Sequence, residues 1–353
     1  MTAKLSKTIQ HIAVMRLSAM GDVAMTVPVL RAFVKQYPTI KITVISRPFF
    51  KPFFEGIPNL DFFAFDEKER HKGFLGLLRL FSDVKKLKID AFADLHNVLR
   101  SKIVSFLFAL TGKKRATVDK GREGKKELTR VENKIFKQLP TMFERHTKVF
   151  EKLGFLVNLS NPEFPKRAVL SAEITDLVGE SYQKLIGIAP FAQYDSKVYP
   201  LDFMEEVIAK LADNKEQTIL LFGGGKKEIE ILESLSKPFK NVINVAGKIK
   251  FQQELKLISN LDVMLSMDSG NAHIAAMLGV KVVTLWGATH PYAGFLPFNQ
   301  SLDNALLSDR NLYPNLPSSV YGNKIIEGYE DAMRTISPKK VAKRIQSLLE
   351  EKK

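Results

Sequence analysis

The chain contains no cysteine and no long apolar run, and each absence removes a class of protein. Without cysteine it can form no disulfide bond, no thiolate metal site and no cysteine nucleophile, a composition that suits a reducing cytosol. The longest apolar stretch, residues 103–110, includes Ser105 and is far shorter than the ~20 residues that cross a bilayer. Because the first residues also lack an apolar signal region, we expect a cytosolic protein.

Two ligand-binding patterns are missing as well. The G-x-G-x-x-G fingerprint of dinucleotide-binding folds does not occur, and the run Gly223-Gly-Gly225 after an apolar stretch is only a weak sign of a nucleotide site. No cluster of histidine and carboxylate residues near the motifs described below has the spacing of metal ligands. We therefore expect neither a metal nor another cofactor.

Positive charge is concentrated in the first half of the chain. Residues 1–180 contain 32 Lys and Arg and 19 Asp and Glu, a balance of +13 (32 − 19), whereas residues 181–353 contain 21 and 19, a balance of +2 (21 − 19). The segment 100–152 alone carries +9 (15 − 6). This excess predicts an anionic partner, for which nucleic acid, a membrane surface and a phosphorylated glycolipid are the candidates.

Short apolar runs alternate with helical patterns in both halves, which predicts an α/β fold built on parallel, doubly wound sheets. The predicted strands are 12–17, 41–46, 62–65, 91–95, 186–189, 218–222 and one on each side of residues 267–277. The predicted helices are a stretch ending at Gln36, 75–87, 201–212 and a last helix from Ser337-Pro338 to about Glu350. Pro28 lies within the first helical pattern, so we expect it to kink that helix or delay its start. The polar segment 158–168 has two prolines and predicts the linker between two domains.

The most informative motif is Met267-Asp-Ser-Gly-Asn-Ala-His-Ile-Ala-Ala-Met277. It follows an apolar run, residues 261–265, and opens a helical stretch that stops at Gly279. A strand, a turn and a helix in this order place backbone N–H groups at the carboxyl edge of a sheet, where phosphates bind. We therefore expect a pyrophosphate to bind at Ser269, Gly270 and the following N–H groups up to His273. For His273, a buried histidine satisfied by the backbone is the alternative.

Four further motifs occur in order around this one. Residues 11–17 form a strand followed by Ser18-Ala-Met-Gly-Asp22; a basic segment ends at Phe143-Glu-Arg-His-Thr147; and Lys197-Val-Tyr-Pro200 precedes the Asp-Ser-Gly helix, with Trp286-Gly-Ala-Thr-His-Pro291 after it. Together they resemble glycosyltransferase family 9, the bacterial heptosyltransferases that build the inner core of lipopolysaccharide. The resemblance extends over nearly the whole chain.

This resemblance implies a GT-B fold, in which two Rossmann-like domains face each other across a cleft. The expected division is an acceptor-binding domain over 1–165, a nucleotide-sugar-binding domain over 166–325, and C-terminal helices over 326–353 that could pack back on the first domain. It implies an inverting, metal-independent transferase that moves heptose from ADP-heptose to a lipopolysaccharide core acceptor. Such an enzyme would work in the cytoplasm, at the inner face of the cytoplasmic membrane.

The resemblance also assigns roles to single residues. Asp22 corresponds to the catalytic base, although an aspartate at this turn is also a common helix N-cap. Lys197 corresponds to a lysine that meets the donor phosphate; a surface lysine is the alternative, and Tyr199 departs from the tryptophan usual in this motif. Asp268 corresponds to a residue that contacts the donor sugar, and Glu228 to a carboxylate that holds the ribose.

Basic residues of the segment 100–152 are expected to face the acceptor, with Arg122 and Arg145 the best candidates. A solvated basic loop is the alternative for any one lysine of this segment. Two other functions remain open: a transferase of the same fold with another nucleotide sugar or acceptor, and a non-catalytic protein that binds nucleic acid. The second lacks a recognisable nucleic-acid motif and would leave the pyrophosphate site without a purpose, so we expect no nucleic-acid partner.

Overall fold

The computed structural model describes residues 9–179 and 183–351. The chain divides into two compact units, and it passes between them three times. The first unit comprises the residues up to Lys120 together with Met142–Glu163; the second comprises Gly121–Thr141 and the chain from Phe164 onward. We call Gly121–Thr141 the crossover segment. The division into an acceptor-binding and a nucleotide-sugar-binding domain near residue 165 stays a prediction; the crossover segment, which that division assigned to the first domain, lies in the second unit.

The first unit contains a five-stranded parallel sheet in the order β3-β2-β1-β4-β5. Its strands are β1 His11–Met15, β2 Lys41–Ser46, β3 Leu60–Ala64, β4 Ala91–Asp94 and β5 Lys114–Thr117. The helices along this part of the chain are α1 Met20–Ala24, α2 Thr26–Gln36, α3 Gly73–Lys86, α4 Leu99–Leu110, α5 Arg122–Thr129 and α6 Met142–Leu153, of which α5 lies in the crossover segment. A 3-10 helix, Pro48–Phe54, follows β2.

Pro28 has the effect expected from the sequence. The helical pattern is divided at Met25, and Pro28 is the third residue of α2. The first N–H groups of a helix have no partner within it, so a proline is tolerated there. The break sets α1 apart as a separate short helix directly after β1.

The second unit contains a six-stranded parallel sheet in the order β11-β10-β9-β6-β7-β8. Its strands are β6 Lys184–Ala189, β7 Gln217–Leu221, β8 Val242–Asn244, β9 Val263–Met267, β10 Lys281–Trp286 and β11 Ala305–Leu307. Its helices are α7 Ala172–Val178, α8 Leu201–Ala212, α9 Lys226–Ser236, α10 Phe251–Ile258, α11 Gly270–Met277 and α12 Pro338–Glu350, with 3-10 helices Asp195–Lys197, Pro291–Ala293, Leu302–Asn304 and Ala332–Thr335.

Both sheets are doubly wound, which confirms the predicted fold class. Counted from the first strand of each unit, the two orders read 3-2-1-4-5 and 3-2-1-4-5-6. In such sheets the crossover connections reverse direction between the first and the fourth strand, and ligands bind at the carboxyl ends of those two strands. The two places to search are therefore the ends of β1 and β4 and the ends of β6 and β9.

The last helix packs within the second unit. Ser337 caps α12 by accepting a hydrogen bond from the Lys340 N–H, as its sequence predicts. Val341, Ile345 and Leu348 enter the core beside α8 and the sheet. The apolar face of α12 is therefore covered within the second unit, and packing of the C-terminal helices on the first domain stays a prediction. Among the described residues, no helix is both long enough and apolar enough to cross a membrane.

Candidate functional site

At the switch point of the first sheet, Arg16 and Asp22 form an ion pair. Arg16 follows β1 and is buried; its Nε donates to the Ser18 carbonyl oxygen (2.9 Å) and its Nη1 to the Leu95 carbonyl oxygen (2.7 Å). Its Nη2 lies 2.5 Å from Oδ2 of Asp22, whose side chain remains 30% exposed. A buried, anchored guanidinium thus holds a carboxylate that solvent can still reach.

Asp22 is not the N-cap of its helix. It is the third residue of α1, after the cap residue Ala19, and its Oδ2 accepts a hydrogen bond from the Ala19 N–H at 3.3 Å. The carboxylate therefore stabilises the first turn, but its pairing with Arg16 and its partial exposure exceed what a helix end requires. These contacts are compatible with a second role as a proton acceptor.

His96 adjoins this ion pair at the end of β4. Burial, together with the charges of Arg16 and Lys120, lowers the pKa of His96 to about 3, and the charge of Asp22 opposes this shift. The imidazole is therefore neutral at physiological pH. The neighbouring backbone is held by Asp94, which accepts hydrogen bonds from the N–H groups of His96 (2.9 Å) and Asn97 (2.8 Å).

The sequence analysis missed Arg16 and His96. Arg16 directly follows β1 and His96 is the second residue after β4, so a search of the residues after these two strands would have found both. More cations lie along the same edge: Arg47 follows β2 and Arg100 opens α4, and both pair with Glu67, at 2.8 Å and 3.2 Å. The edge around Asp22 is therefore cationic.

The two predicted acceptor residues belong to different units. Arg145, in α6 of the first unit, is buried, and its Nη1 lies 3.3 Å from both the carbonyl oxygen and Oδ2 of Asp119. Arg122 is the first residue of α5, in the crossover segment, and is exposed. Because they lie in different units, they do not form one cluster within either unit.

The crossover segment packs closely on the second unit. Lys125 is buried, with its Nζ 4.1 Å from the centre of the Phe295 ring. Phe136 contacts the rings of His290 and Tyr292, each with centroids 5.0 Å apart. Burial and the charge of Arg310 lower the pKa of His290 to about 4. Much of this segment is therefore structural, and its lysines cannot be read as one solvated basic patch.

At the switch point of the second sheet, Lys197 and Asp268 are in contact. Lys197 ends the loop after β6 and Asp268 directly follows β9, the neighbouring strand. Nζ of Lys197 donates to the carbonyl oxygen of Asp268 at 2.5 Å and lies 3.3 Å from its Oδ2. Both side chains are about nine-tenths buried, so Lys197 is not the surface lysine that the sequence left as an alternative.

Two glycines allow Lys197 to take this position. A Cβ on Gly322 would lie 2.6 Å from Cγ of Lys197, and Gly322 has a φ of +89° that favours glycine. A Cβ on Gly287 would lie 2.4 Å from the carbonyl oxygen of Ser196. The sequence did not reveal this role of either glycine, although Gly287 lies in the motif of residues 286–291, because both are far from Lys197 along the chain.

The Asp-Ser-Gly motif forms the predicted strand, turn and helix. Ser269 is the N-cap of α11, but its side chain makes no capping bond; its Oγ bonds Oγ of Ser266 at 3.0 Å. Gly270 is the first residue of α11, and His273, the fourth, is buried. The first turn of α11 thus presents N–H groups that the side chain of Ser269 does not satisfy, beside Asp268 and Lys197.

Glu228 lies one strand further along the same edge. Its Oε2 accepts a hydrogen bond from the Gly224 N–H at 2.7 Å and so holds the loop after β7. A Cβ on Gly223 would lie 3.1 Å from that oxygen and 3.4 Å from Cδ2 of Phe191, so the loops after β6 and β7 touch. Glu228 therefore flanks the site.

Tyr199 occupies the core instead of the site. Its ring is fully buried beside Phe203, and its hydroxyl donates to the Ile336 carbonyl oxygen. Burial raises the pKa of Tyr199, which keeps the hydroxyl protonated. The aromatic residue of Lys-Val-Tyr-Pro thus anchors the loop that carries Lys197. In the described parts of the chain, no three His, Asp or Glu residues are grouped so as to hold a metal ion.

The profile of the family described as glycosyltransferase family 9 (heptosyltransferase) matches residues 77–321. The chain belongs to glycosyltransferase family 9. The match includes the loops of Lys197, Glu228 and Asp268, whereas Arg16 and Asp22 precede it.

Individual relatives agree with this placement. The family 9 chain is 25% identical over 302 residues to the lipopolysaccharide core heptosyltransferase OpsX of Haemophilus influenzae, and the similarity covers 84% of each protein. It is also similar to the crystal structure of a family 9 glycosyltransferase from Veillonella parvula (TM-score 0.74, 20% identity, 96% of this chain and 97% of that one). The E. coli heptosyltransferase WaaC with ADP-2-deoxy-2-fluoro heptose is a further match (TM-score 0.65, 18% identity, 96% and 99%).

These structures share the fold of this chain, and that fold is GT-B. The family 9 protein is therefore a glycosyltransferase with two Rossmann-like domains, as the sequence predicted. The family assignment contradicts the less favoured alternative, a non-catalytic protein that binds nucleic acid.

Proposed function

We propose that this glycosyltransferase transfers a heptose from ADP-heptose to the inner core of lipopolysaccharide, with inversion at the anomeric carbon. The observation that carries the proposal is the contact of Lys197 with Asp268 beside the first turn of α11, at the switch point of the second sheet. This is the position where a doubly wound sheet binds a nucleotide. The names of OpsX and WaaC give the sugar and the acceptor class of relatives, and the ADP-sugar analogue in WaaC suggests the donor.

On the donor side, the first N–H groups of α11 and the Lys197 ammonium receive the diphosphate. Charge develops on the diphosphate as the glycosidic bond breaks, and donors already fixed in a buried site stabilise it most effectively. Lys197 is such a donor because Asp268 and Gly322 hold its side chain before the ligand arrives. The carboxylate of Asp268 is then free to accept hydrogen bonds from the sugar, and Glu228 from the ribose.

On the acceptor side, Asp22 removes the proton from the attacking hydroxyl. Attack from the face opposite the diphosphate inverts the anomeric carbon in one displacement. Asp22 is partly exposed and fixed by Arg16, so its carboxylate is oriented without being closed off from an acceptor. His96 beside it is neutral, so it adds no positive charge that would make Asp22 a weaker base.

The acceptor is an anionic glycolipid. The edge around Asp22 carries Arg16, Arg47 and Arg100, and Arg122 and Arg145 add further cations in their respective units. Guanidinium groups bind phosphate and carboxylate through paired hydrogen bonds, and a core acceptor presents both in its phosphates and acidic keto-sugars. An enzyme with this acceptor works at the cytoplasmic face of the inner membrane, in peripheral contact with it.

The nucleotide is tested by thermal shift and calorimetry with ADP, UDP, GDP and CMP. A ligand that binds only the folded state adds about 2.7 kcal/mol at a hundred times its Kd, so ADP should raise Tm by several degrees and the others much less. A stronger shift with UDP or GDP would favour the alternative, a transferase of this fold that uses another nucleotide sugar.

Metal independence is tested in a turnover assay. Turnover of ADP-heptose should persist in EDTA, because N–H groups and Lys197 stabilise the leaving group in this mechanism. Loss of turnover in EDTA, with recovery on adding Mg²⁺ or Mn²⁺, would contradict the role given to Lys197.

A further inference from the structure

Helices α3 and α4 expose large apolar side chains that no part of the described chain covers. Their inner faces pack on the first sheet through residues such as Leu80 and Phe108. Their outer faces carry apolar side chains that are each more than half exposed: Phe74, Leu75, Leu99, Phe106 and Leu110. Of 17 large apolar residues exposed in the described chain, seven lie between residues 74 and 110. This concentration is not the scatter of single apolar residues that any soluble surface shows.

The exposed residues follow the helical repeat. In α4, Leu99, Lys102, Phe106 and Leu110 are three or four residues apart, so they form one stripe along the outer face. In α3, residues 74, 75, 78 and 79 form a matching outer patch. The two helices pack side by side, joined by the rings of Phe81 and Phe108 at 4.8 Å. We call these two outer faces the α3–α4 surface.

The charges around this surface are of one sign. Between residues 72 and 115, all of which the structure describes, every fully exposed charged side chain is a lysine or an arginine. The three acidic residues of that range are Asp83, Asp90 and Asp94, and none is fully exposed. Asp83 is moreover paired with Arg70 at 2.7 Å. Arg100 and Lys86 are paired with Glu67 and Asp83, but cations outnumber carboxylates in this range. Apolar side chains framed by an excess of cations are typical of helices that lie in the headgroup region of an anionic bilayer.

The position of the surface relates it to the acceptor side. In a parallel sheet each connecting helix begins at the carboxyl edge, so Phe74 and Leu99, near the starts of α3 and α4, lie toward the edge that carries Asp22. Leu99 is three residues beyond His96, the neighbour of the Arg16–Asp22 pair. Contact of this surface with a bilayer would bring the catalytic edge close to lipid headgroups.

We propose that the α3–α4 surface docks the enzyme on an anionic bilayer, with its apolar side chains among the acyl chains and its cations at the headgroups. This rests on the proposed function, because a glycolipid acceptor is what makes docking useful. A protein partner fits less well, since the charge is unbalanced and the apolar side chains project outward without forming a pocket. The partner is therefore a lipid surface.

The test is sedimentation of the full chain with vesicles of phosphatidylcholine alone or with roughly a third phosphatidylglycerol. The wild type should bind the anionic vesicles, bind the neutral ones at least about tenfold more weakly, and dissociate as salt is raised. Two variants, Phe74→Ser with Leu75→Ser and Phe106→Ser with Leu110→Ser, should each lose at least about tenfold in vesicle affinity. Arg79→Glu with Lys102→Glu should do the same for anionic vesicles.

The matched control is Val169→Ser with Leu312→Ser, which removes two exposed apolar side chains from the second unit (91% and 68% exposed). This control should bind vesicles as the wild type does, and unchanged melting temperatures should show that all variants are folded. Equal loss of binding in the control and the α3–α4 variants would overturn the proposal. So would light scattering that shows a wild-type dimer disrupted by the α3–α4 substitutions, with no vesicle binding.

The failure of docking and the failure of the proposed function give different results. With a delipidated, soluble acceptor, the two serine variants should keep wild-type kcat and KM, because these apolar side chains do not contact the reacting groups. If the wild type turns over this acceptor but ignores anionic vesicles, docking is wrong and the transferase assignment stands. If vesicle binding depends on α3–α4 but ADP-heptose is not used, the docking surface stands and the proposed donor is wrong.

Discussion

At the switch point of the first sheet a buried Arg16 holds Asp22, whose side chain stays 30% exposed, whereas at the switch point of the second sheet Lys197 and Asp268 are both about nine-tenths buried. Both sheets have the same winding, and each places a cation beside a carboxylate at its switch point. Arg16 and Asp22 both follow β1, whereas Lys197 follows β6 and Asp268 follows the neighbouring strand β9. They differ in exposure, because only Asp22 of the four side chains stays substantially open to solvent. In the proposed mechanism, this open carboxylate takes the acceptor proton, and the fixed cation and helix N–H groups of the second unit receive the diphosphate.

Charge separates the two units in the same sense. The first unit contains 24 Lys and Arg and 13 Asp and Glu, a balance of +11 (24 − 13), and the second contains 29 and 25, a balance of +4 (29 − 25). The crossover segment contributes +3 (6 − 3) of the second unit's balance, although it lies in the first half of the chain. The charge balance of the two halves of the sequence therefore predicted that the first unit is the more basic one. It also counted the crossover segment with that unit, although the segment lies in the second.

The largest expected effect is on the first switch point. Asp22→Asn should lower kcat by roughly 100-fold or more, because the amide cannot take the acceptor proton. Calorimetric affinity for ADP should be nearly unchanged, because the proposed nucleotide site lies in the other unit. Asp61→Asn is the control, since Asp61 is an exposed partner of Lys41 in the same unit. A near-normal kcat would return Asp22 to a purely structural role in α1.

The corresponding change at the second switch point is Lys197→Met. A charged hydrogen bond contributes about 1.5–3 kcal/mol, so the Kd for ADP should rise between roughly tenfold and 150-fold. Lys210→Met, an exposed lysine of α8, should leave ADP binding unchanged. If calorimetry finds the same Kd for both variants and the wild type, Lys197 does not contact the diphosphate and the contrast between the two edges is lost.

Packing of the crossover segment in the second unit can be tested by measuring the free energy of unfolding of two variants. Lys125→Glu places a carboxylate where a buried cation now lies over the Phe295 ring, and should lower the free energy of unfolding by about 3 kcal/mol. Arg122→Glu, at an exposed position in the same helix, should change it by less than about 0.5 kcal/mol.

Denaturant titration measures both variants, and the acceptor KM of the stable Arg122→Glu variant then tests its predicted role. Equal stability of the two variants would show that the segment is not packed on the second unit. An unchanged acceptor KM would remove Arg122 from the acceptor site.

The smallest expected effect is on the pH dependence of stability, and it follows from a contrast between two carboxyl groups. Asp94 of the first unit accepts hydrogen bonds from two N–H groups and from Ser101, whereas burial is what shifts the pKa of the Glu254 carboxyl group in the second unit. Burial raises the pKa of Glu254 from its ordinary 4.5 to about 7. The folded state therefore holds this proton more tightly than the unfolded state, and stability is lost as pH rises from below 4.5 through 7.

Glu254→Gln should accordingly stabilise the protein at pH 8 by roughly 1–3 kcal/mol and have little effect at pH 4. Chemical unfolding at both pH values measures this difference. Glu216→Gln, an exposed carboxylate, should show no dependence on pH. A Glu254→Gln variant that is equally stable relative to wild type at both pH values would mean that solvent reaches Glu254 in the native state.

Local patterns predicted those features whose causes are local. The alternation of apolar runs with helical stretches indicated two doubly wound sheets, and Ser337-Pro338 marked the start of α12. Three strands were missed: β5, β8 and β11 have only three or four residues each, and β5 carries two exposed basic residues, so none forms a strong apolar run. The motif of residues 267–277 predicted the junction of β9 and α11, because a polar turn between a buried strand and a helix depends on neighbouring residues only.

The sequence by itself determined the longer strands, the doubly wound fold class and the family, because these depend on periodicity and on short motifs. Only the tertiary structure decided which residues meet. Arg16 reaches Asp22 while bonded to Leu95, 79 residues away, and Lys197 reaches Asp268 across 71 residues. It also decided that the crossover segment joins the second unit and that the outer faces of α3 and α4 stay uncovered. The physical reason is that burial and ion pairing depend on contacts between distant parts of the chain, which no local pattern records.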